Sequence, residues 1–299
     1  MRDAESVEHI KKHHHNPKYL SSIEFHPSRV KTYVNIKEAL SKTEAVVLAV
    51  PAAFIANALN GLSSESFENK VVVSAVKGMI PATNQLISDY MLTAFNVPLA
   101  TQCAIAGPCH AEEVAFEKQS FLTIASPEIA VAQKIAEALK CRFVNTSAIT
   151  DLYGVEYAAV LKNIIALASG ITHGMGSGDN FQAVLVSNAM LEIQRFVEAI
   201  APAERNLMAS AYLGDLLVTA YSQFSRNRAF GNMIGRGYSI KSTQLEMNMI
   251  AEGYYATKSI YELNQYRQVE MPITDFAYHI LYQKKSLQKE LSILKSKLK

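Results

Sequence analysis

A lysine and an asparagine interrupt an otherwise apolar segment of the chain. Lys162 and Asn163 lie within residues 157–168, where the other side chains are Ala, Val, Leu, Ile and one Tyr. Burying an ammonium group is costly unless the group is paired or loses its proton. A desolvated lysine has a lowered pKa and is suited to proton transfer near neutral pH. The segment thus predicts a general acid/base. The alternative is a lysine whose stem follows the helix while its ammonium group reaches water.

A second polar group lies at residues 225–228, with the sequence Ser-Arg-Asn-Arg. A planar guanidinium beside an amide, here Arg226 and Asn227, is suited to holding a phosphate; a charged loop between helices is the alternative. Asp215 follows Gly214 and precedes an apolar run. Its carboxylate is expected either to pair with a buried cation or to cap a helix.

Two further candidates follow apolar runs. Lys77 and Gly78 close one run, where a lysine can reach a ligand and a glycine permits close approach. Residues 107–113, Gly-Pro-Cys-His-Ala-Glu-Glu, read as a strand end, a turn and a helix start. The free amides of such a helix start are suited to an anion or a cofactor. An ordinary strand-to-helix turn is the alternative.

The elements that must position these residues differ between the two halves. Short apolar runs bounded by Pro or Gly predict buried strands, and segments with helical spacing lie between them. This alternation predicts a mostly parallel sheet, with ligands bound beyond the carboxyl ends of its strands. The predicted strands are 45–50, 70–76, 101–106 and 121–125, and the intervening helices include 52–60 and 128–140.

From residue 151 onward the sequence predicts helices only. The apolar residues recur every three or four positions, which is typical of packed helices. A lysine-rich tail, 284–299, predicts an exposed closing helix. We therefore expect an α/β domain at 1–150 followed by an all-α domain at 151–299. The predicted helices are 153–173, 182–201, 204–222 and 270–295.

Composition excludes several classes of protein. The 299 residues are 49% hydrophobic and 19% charged, with a net charge of +2, which predicts a folded chain without a bias toward nucleic acid or anionic membranes. The most apolar early run, 45–56, has 12 residues, fewer than the roughly 20 that span a membrane. Three cysteines favour reduced thiols and a cytoplasmic protein. The tract 13–15 of three histidines is not expected to bind a metal, and the run 174–178, which contains three glycines, does not fit a dinucleotide fingerprint.

Taken together, eight segments resemble the bacterial NAD(P)-dependent glycerol-3-phosphate dehydrogenases. The resemblance implies a Rossmann-type domain, a helical domain, and a site between them. It implies reversible hydride transfer between NAD(P)H and dihydroxyacetone phosphate, giving sn-glycerol 3-phosphate for phospholipid synthesis, by a homodimer without a nucleic-acid partner. The matching segments are 49–51, 75–78, 106–113, 161–166, 214–216, 225–228, 251–254 and 270–274.

The resemblance also assigns roles to residues of this chain. Lys162 is expected to donate and accept the proton, and Lys77 to touch both substrate and cofactor. A cation at Arg2 would favour the 2′-phosphate of NADP over NAD. The other implied substrate contacts are Gly107, Cys109, Asp215, Ser225, Arg226 and Asn227, and the other implied cofactor contacts are Ala111, Arg226, Ile250 and Glu252.

The chain departs from the family pattern at two places. Cys109 and His110 stand where the family usually has Ser or Thr and often Phe, and a thiol is a poorer donor than a hydroxyl. The first glycine is Gly61, although the family opens with a strand and Gly-x-Gly-x-x-Gly. We expect this first strand and glycine-rich loop to be missing, and turnover to be poor without them. A related 2-keto or 3-hydroxy acid reductase and an inactive dimerisation module are the alternatives.

Overall fold

The computed structural model describes residues 3–247 and 251–299. Its first half contains a five-stranded sheet whose order follows the chain, β1 to β5. Neighbouring strands pair in parallel except β3 and β4, which are antiparallel. The predicted parallel-dominant sheet is confirmed. The strands are β1 (Ala45–Leu48), β2 (Val71–Ser74), β3 (Gln102–Ala106), β4 (Ser120–Ala125) and β5 (Val144–Ile149).

The four predicted strands form, but β5 was not predicted. Its sequence, Val-Asn-Thr-Ser-Ala-Ile, is largely polar, and β5 lies at the edge of the sheet with only its first residue buried. Strand β5 therefore lacks the continuous apolar run that marks a strand buried on both faces. The other edge strand, β1, has such a run, but the prediction that it is buried was wrong, since only Leu48 in it is buried.

Six helices accompany the sheet. The predicted crossover helices 52–60 and 128–140 correspond to α3 and α6. Short 3₁₀ turns at Ser64–Phe67 and Leu99–Thr101 precede β2 and β3. The helices are α1 (Ala4–His13), α2 (Ile36–Leu40), α3 (Ala52–Ala58), α4 (Ile87–Phe95), α5 (Ala111–Ala115) and α6 (Ile129–Leu139).

The second half is helical throughout the part that the structure describes. The sheet ends at Ile149 and the first long helix begins at Leu152, so the proposed boundary at 150/151 falls between them. The helices are α7 (Leu152–Gly174), α8 (Asp179–Ile200), α9 (Asp215–Tyr221), α10 (Arg226–Gly235), α11 (Ile240–Glu246), α12 (Glu252–Arg267), α13 (Pro272–Leu281) and α14 (Leu287–Lys297).

Two of the predicted helices were wrong in extent. The first nine residues of the section 201–221 are irregular, and a π-helical turn at Ser210–Gly214 leads into α9. In this irregular section the Arg205 guanidinium donates to the Asp151 carboxylate at 2.7 Å and to the Ala201 carbonyl at 2.6 Å. These bonds hold the section in place without helical structure. The predicted helix 270–295 is divided into α13 and α14, with Lys284 in a left-handed conformation at φ 54° between them.

Helix α7 is the centre of the molecule. All of its residues from 154 to 172 are buried, and α8, α9, α10, α12 and α13 pack around it. Within residues 3–247 and 251–299 it is the one helix long and apolar enough to cross a membrane, and that apolar stretch is wholly buried in the fold. Burial by neighbouring helices explains its composition, since a helix that is apolar on all sides must be covered on all sides.

Candidate active site

The predicted acid/base lysine is buried and paired. Lys162 on α7 is 3% exposed, and its Nζ forms an ion pair with Oδ1 of Asp215, which is 1% exposed at the start of α9. Both open alternatives are thereby decided. The Lys162 head does not reach water, and Asp215 pairs with a buried cation.

A second cation approaches the same carboxylate. Lys77 Nζ, at the carboxyl end of β2, lies 3.9 Å from Asp215 Oδ2 and its side chain is 30% exposed. Within the described residues Oδ2 has no hydrogen-bond partner. The site therefore places two ammonium groups around one carboxylate, with a buried acceptor atom facing the more exposed cation.

Burial and neighbouring charge shift the pKa of both buried groups. Burial lowers the pKa of Lys162 to about 7; Lys77 pushes it in the same direction, and Asp215 opposes the shift. Burial alone would raise the pKa of Asp215, but Lys162, Lys77 and the peptide of Gly107 outweigh this effect and lower it. A lysine that changes its charge near neutral pH, beside a carboxylate whose pKa is held below its usual value, can both donate and accept a proton.

The turn after β3 closes over this pair. Gly107 is buried with φ 113°, and a Cβ there would lie 2.4 Å from the carbonyl oxygen of Phe121, so only glycine fits. The following Pro108 packs near Gly214, directly before Asp215. Cys109 is half-buried; burial raises the pKa of its thiol, and Lys77 and Asp215 are close enough to affect it. Burial therefore favours the neutral thiol, which lies within electrostatic reach of the charged cluster.

The residues predicted to bind a phosphate lie at the start of α10. The Ser225 hydroxyl caps this helix by accepting from the Arg228 amide at 3.3 Å. Arg226 is exposed, whereas Asn227 is buried and its Oδ1 accepts from the Gly253 amide at 2.9 Å. The amide Nδ2 of Asn227 and the Arg226 guanidinium are the donors that this helix start can offer an anion.

Glu252 links the helix start to the sheet. Its carboxylate accepts from the Ala52 amide at 3.0 Å, beyond the end of β1. Burial raises its pKa, opposed by that amide and by the nearby charges of Arg226 and Lys77. Glu252 lies within electrostatic reach of both cations, so the end of β2 and the start of α10 approach each other around its carboxylate.

Of the remaining predicted residues, one is exposed and two fall outside the described ranges. Ala111 is exposed and is the first residue of α5. Arg2 and Ile250 fall outside residues 3–247 and 251–299, so their predicted contacts stay predictions.

Sequence reasoning left two positioning residues out of the site. Asn163 donates from Nδ2 to the carbonyl of Lys77 at 2.7 Å and so ties α7 to the end of β2. Ala52 supplies the amide that Glu252 binds. An amide side chain next to Lys162 in an apolar helix was the visible signal for Asn163, whereas nothing in the sequence around Ala52 marks its amide as a donor.

The edge of the sheet beyond β1 and β2 suits one end of a dinucleotide. A Cβ added to Gly78 would lie 2.9 Å from both Glu252 Oε2 and the Cβ of Ala52, so Glu252 and the segment after β1 pack directly against the segment after β2. Lys77 and Arg226 supply positive charge beside this contact. These cations and the Glu252 carboxylate can bind polar groups of a cofactor, while the sequence contains no Gly-x-Gly-x-x-Gly for the pyrophosphate.

A Rossmann-like α/β half and a helical half that meet at a buried, ion-paired lysine are the arrangement of an NAD(P)-dependent oxidoreductase. The family model of the NAD-dependent glycerol-3-phosphate dehydrogenase N-terminus matches residues 1–132, and that of the C-terminus matches residues 151–292. The chain belongs to the NAD-dependent glycerol-3-phosphate dehydrogenase family.

Individual relatives agree with this assignment over nearly the whole chain. The glycerol-3-phosphate dehydrogenase (NAD(P)+) of Chlorobium limicola is 34% identical over 277 residues, which cover 92% of this chain and 83% of the relative. That of an Exiguobacterium species is 36% identical over 296 residues, covering 98% and 86%. The crystal structure of the glycerol-3-phosphate dehydrogenase from Coxiella burnetii superposes with a TM-score of 0.89 at 26% identity and covers 99% of this chain and 90% of that one.

Proposed function

We propose that this chain catalyses the reversible reduction of dihydroxyacetone phosphate to sn-glycerol 3-phosphate with NAD(P)H. The observation that carries the proposal is the buried Lys162, ion-paired to Asp215 with Lys77 beside it, at the junction of the two halves. When bound, the reduced nicotinamide supplies the hydride that C2 of the substrate accepts.

Lys162 performs the proton transfer in this proposal. As C2 is reduced, negative charge develops on its oxygen, and the Lys162 ammonium stabilises this oxygen and gives it a proton. In the oxidation direction the neutral amine takes the alcohol proton. Burial, which lowers the pKa of Lys162 to about 7, makes both protonation states available near neutral pH. Asp215 holds the amine in place through Oδ1.

The other end of the substrate is held by the start of α10. Arg226 and the Nδ2 of Asn227 bind the phosphate, which fixes C2 beside Lys162. The unpartnered Oδ2 of Asp215 accepts from a substrate hydroxyl. Gly107 and Cys109 line the same side through the turn after β3. Ser225 acts mainly by capping α10, since its hydroxyl is bound to the Arg228 amide.

The cofactor would be held beyond the carboxyl ends of β1 and β2. Lys77, Arg226 and Glu252 would surround its nicotinamide end, and Ala111 lies at the start of the short helix after β3. Arg2 and Ile250 are further proposed contacts, and a cation at Arg2 supports NADP over NAD. A homodimer and a cytoplasmic location also belong to this proposal; the three cysteines support the location because all are free thiols.

A substrate panel tests the function. The purified chain, at saturating NADH or NADPH, is assayed with dihydroxyacetone phosphate and with non-phosphorylated 2-keto acids, and binding of sn-glycerol 3-phosphate is measured by calorimetry. We expect binding of sn-glycerol 3-phosphate, slow turnover of the phosphorylated substrate because the glycine-rich loop is missing, and loss of that turnover in Lys162→Met. Preference for a non-phosphorylated acid would assign the chain to a related reductase. Neither turnover nor binding of the phosphorylated substrate would support the inactive module.

A further inference from the structure

Two pairs of glycines face each other across α7 and α10. Gly170 and Gly174 lie four residues apart on α7, and Gly231 and Gly235 lie four residues apart on α10. Residues four apart share one face of a helix. Each helix therefore presents a strip without side chains, and the two strips meet.

The contact joins one backbone directly to the other. A Cβ added at Gly231 would lie 2.0 Å from the carbonyl oxygen of Leu167, and one added at Gly170 would lie 2.1 Å from that of Arg228. At the far end, a Cβ on Gly235 would lie 2.1 Å from the carbonyl oxygen of Ile171. Ordinary contacts between a carbon and a carbonyl oxygen are about 3.3–3.6 Å, so any side chain here would push the helices apart by more than about 1 Å.

This contact fixes where α10 begins. The two helices run in the same direction, because Gly170 contacts Arg228 and, one turn further along both helices, Gly174 contacts Asn232. The start of α10, with Arg226 and Asn227, thus lies toward the middle of α7, where Lys162 is located.

A third helix locks this arrangement. The Asn227 carboxamide accepts from the Gly253 amide at 2.9 Å, and a Cβ on Gly253 would lie 2.5 Å from the carbonyl oxygen of Asn163. Asn163 is the residue after Lys162. The phosphate-holding group and the proton-transfer group are therefore connected through one side-chain hydrogen bond and one close backbone contact, both made by Gly253.

We propose that the facing glycines are positioning residues that set the distance between the phosphate-holding start of α10 and Lys162. This inference rests on the proposed function, since it assigns the phosphate to Arg226 and Asn227. Helix propensity alone favours alanine over glycine at these interior positions. The structure instead predicts that alanine at these positions disturbs the contact between α7 and α10, because the added methyl group meets backbone atoms that cannot rotate away.

Gly231→Ala tests the proposal. Moving the start of α10 by about 1 Å is expected to raise the KM for dihydroxyacetone phosphate and to lower kcat/KM by about 10²-fold. The pH dependence of kcat should stay as in the wild type, because Lys162, Lys77 and Asp215 lie outside α10. Calorimetric affinity for sn-glycerol 3-phosphate should fall in parallel with kcat/KM.

Ala229→Gly is the matched control. Ala229 lies on the exposed side of α10, so this change weakens the same helix without altering its contact with α7. It should lower the Tm by about 2–4 °C and leave KM and affinity unchanged. A loss of affinity equal to that of Gly231→Ala would show that general weakening of α10 explains the effect and would overturn the proposal.

Further variants cover the case in which Gly231→Ala does not fold. Gly174→Ala and Gly235→Ala change the half-buried far end of the contact and are expected to give the same KM effect in smaller measure. Folded glycine variants with wild-type KM and affinity would refute the inference alone. A wild-type chain that neither binds sn-glycerol 3-phosphate nor turns over dihydroxyacetone phosphate would instead refute the proposed function, and this inference with it.

Discussion

Removing the carboxylate from the Lys162 pair should make the stability of the protein depend on pH in a new range. In Asp215→Asn the buried Lys162 loses its counter-charge, while Lys77 remains nearby. Since Asp215 raises the pKa of Lys162 and Lys77 lowers it, the substitution must lower that pKa further below about 7. Asparagine has nearly the same shape as aspartate, so the change is mainly one of charge.

The size and sign of the effect follow from proton linkage. An unfolded lysine titrates near 10.4, so between the folded and unfolded pKa values the unfolded chain binds one more proton, and stability rises with pH by about 1.4 kcal/mol per unit. In the wild type this rise begins near pH 7, and in Asp215→Asn it begins lower. The deficit of the variant should therefore be about 3–5 kcal/mol in acid and shrink by up to about 2.7 kcal/mol between pH 5 and pH 7.

Urea unfolding at several values between pH 5 and pH 9 measures this deficit. The chain has no tryptophan, so far-UV circular dichroism is the suitable probe. Asp179→Asn provides the control. It makes the same chemical change at an exposed residue at the start of α8, away from Lys162. Its stability curve should run parallel to that of the wild type at every pH.

Parallel curves for Asp215→Asn and the wild type from pH 5 to pH 9 would refute the reasoning. Such a result would mean that Asp215 does not control the protonation of Lys162 and that the buried pair is not the acid/base device. A variant more stable than the wild type at pH 5 would contradict it equally, since an unpaired ammonium at a site that is 3% exposed must be destabilising.

Three other changes test separate parts of the site. Oxidation of sn-glycerol 3-phosphate requires neutral Lys162, so kcat for this direction should rise with pH through the pKa of Lys162. Lys77→Met removes a charge that lowers this pKa. The rise in the kcat–pH profile of this variant should therefore lie at higher pH than in the wild type. Arg226→Ala should raise the KM for dihydroxyacetone phosphate by about 10- to 100-fold through loss of a charged hydrogen bond, with an unchanged Tm because the side chain is exposed; an unchanged KM would place the phosphate elsewhere. Gly107→Ala should lower the free energy of unfolding by about 1–3 kcal/mol in urea titrations, because φ 113° and the Phe121 carbonyl exclude a methyl group; full wild-type stability would show that the turn is adaptable.

The sequence was sufficient for the elements whose surroundings are uniform. Strands β2 and β3 are largely buried and largely apolar, and α7 is apolar on every side because helices cover every side. Strand β1 was recognised by its apolar residues, although only Leu48 in it is buried. Strand β5 and the irregular section before α9 could not be predicted from the sequence. The first is partly solvated, and the second is held by the pairing of Arg205 with Asp151, 54 positions apart.

The site shows the same division. Residue types alone made Lys162, Asp215 and Arg226 candidates, because a charge in or beside an apolar segment needs a partner or a task. Sequence spacing could not decide whether the Lys162 head reached water or whether Asp215 capped a helix. Both depend on atoms 53 positions apart in the chain.

What the sequence by itself determined was the chemical inventory: an amine, a carboxylate and a guanidinium on elements of known type. What only the tertiary structure decided was their separation and protonation. Burial lowers the pKa of Lys162, and the approach of α10 to α7 through facing glycines locates Arg226. Both properties arise from packing between distant segments, since desolvation and interhelical distance belong to the folded chain and not to any local pattern along it.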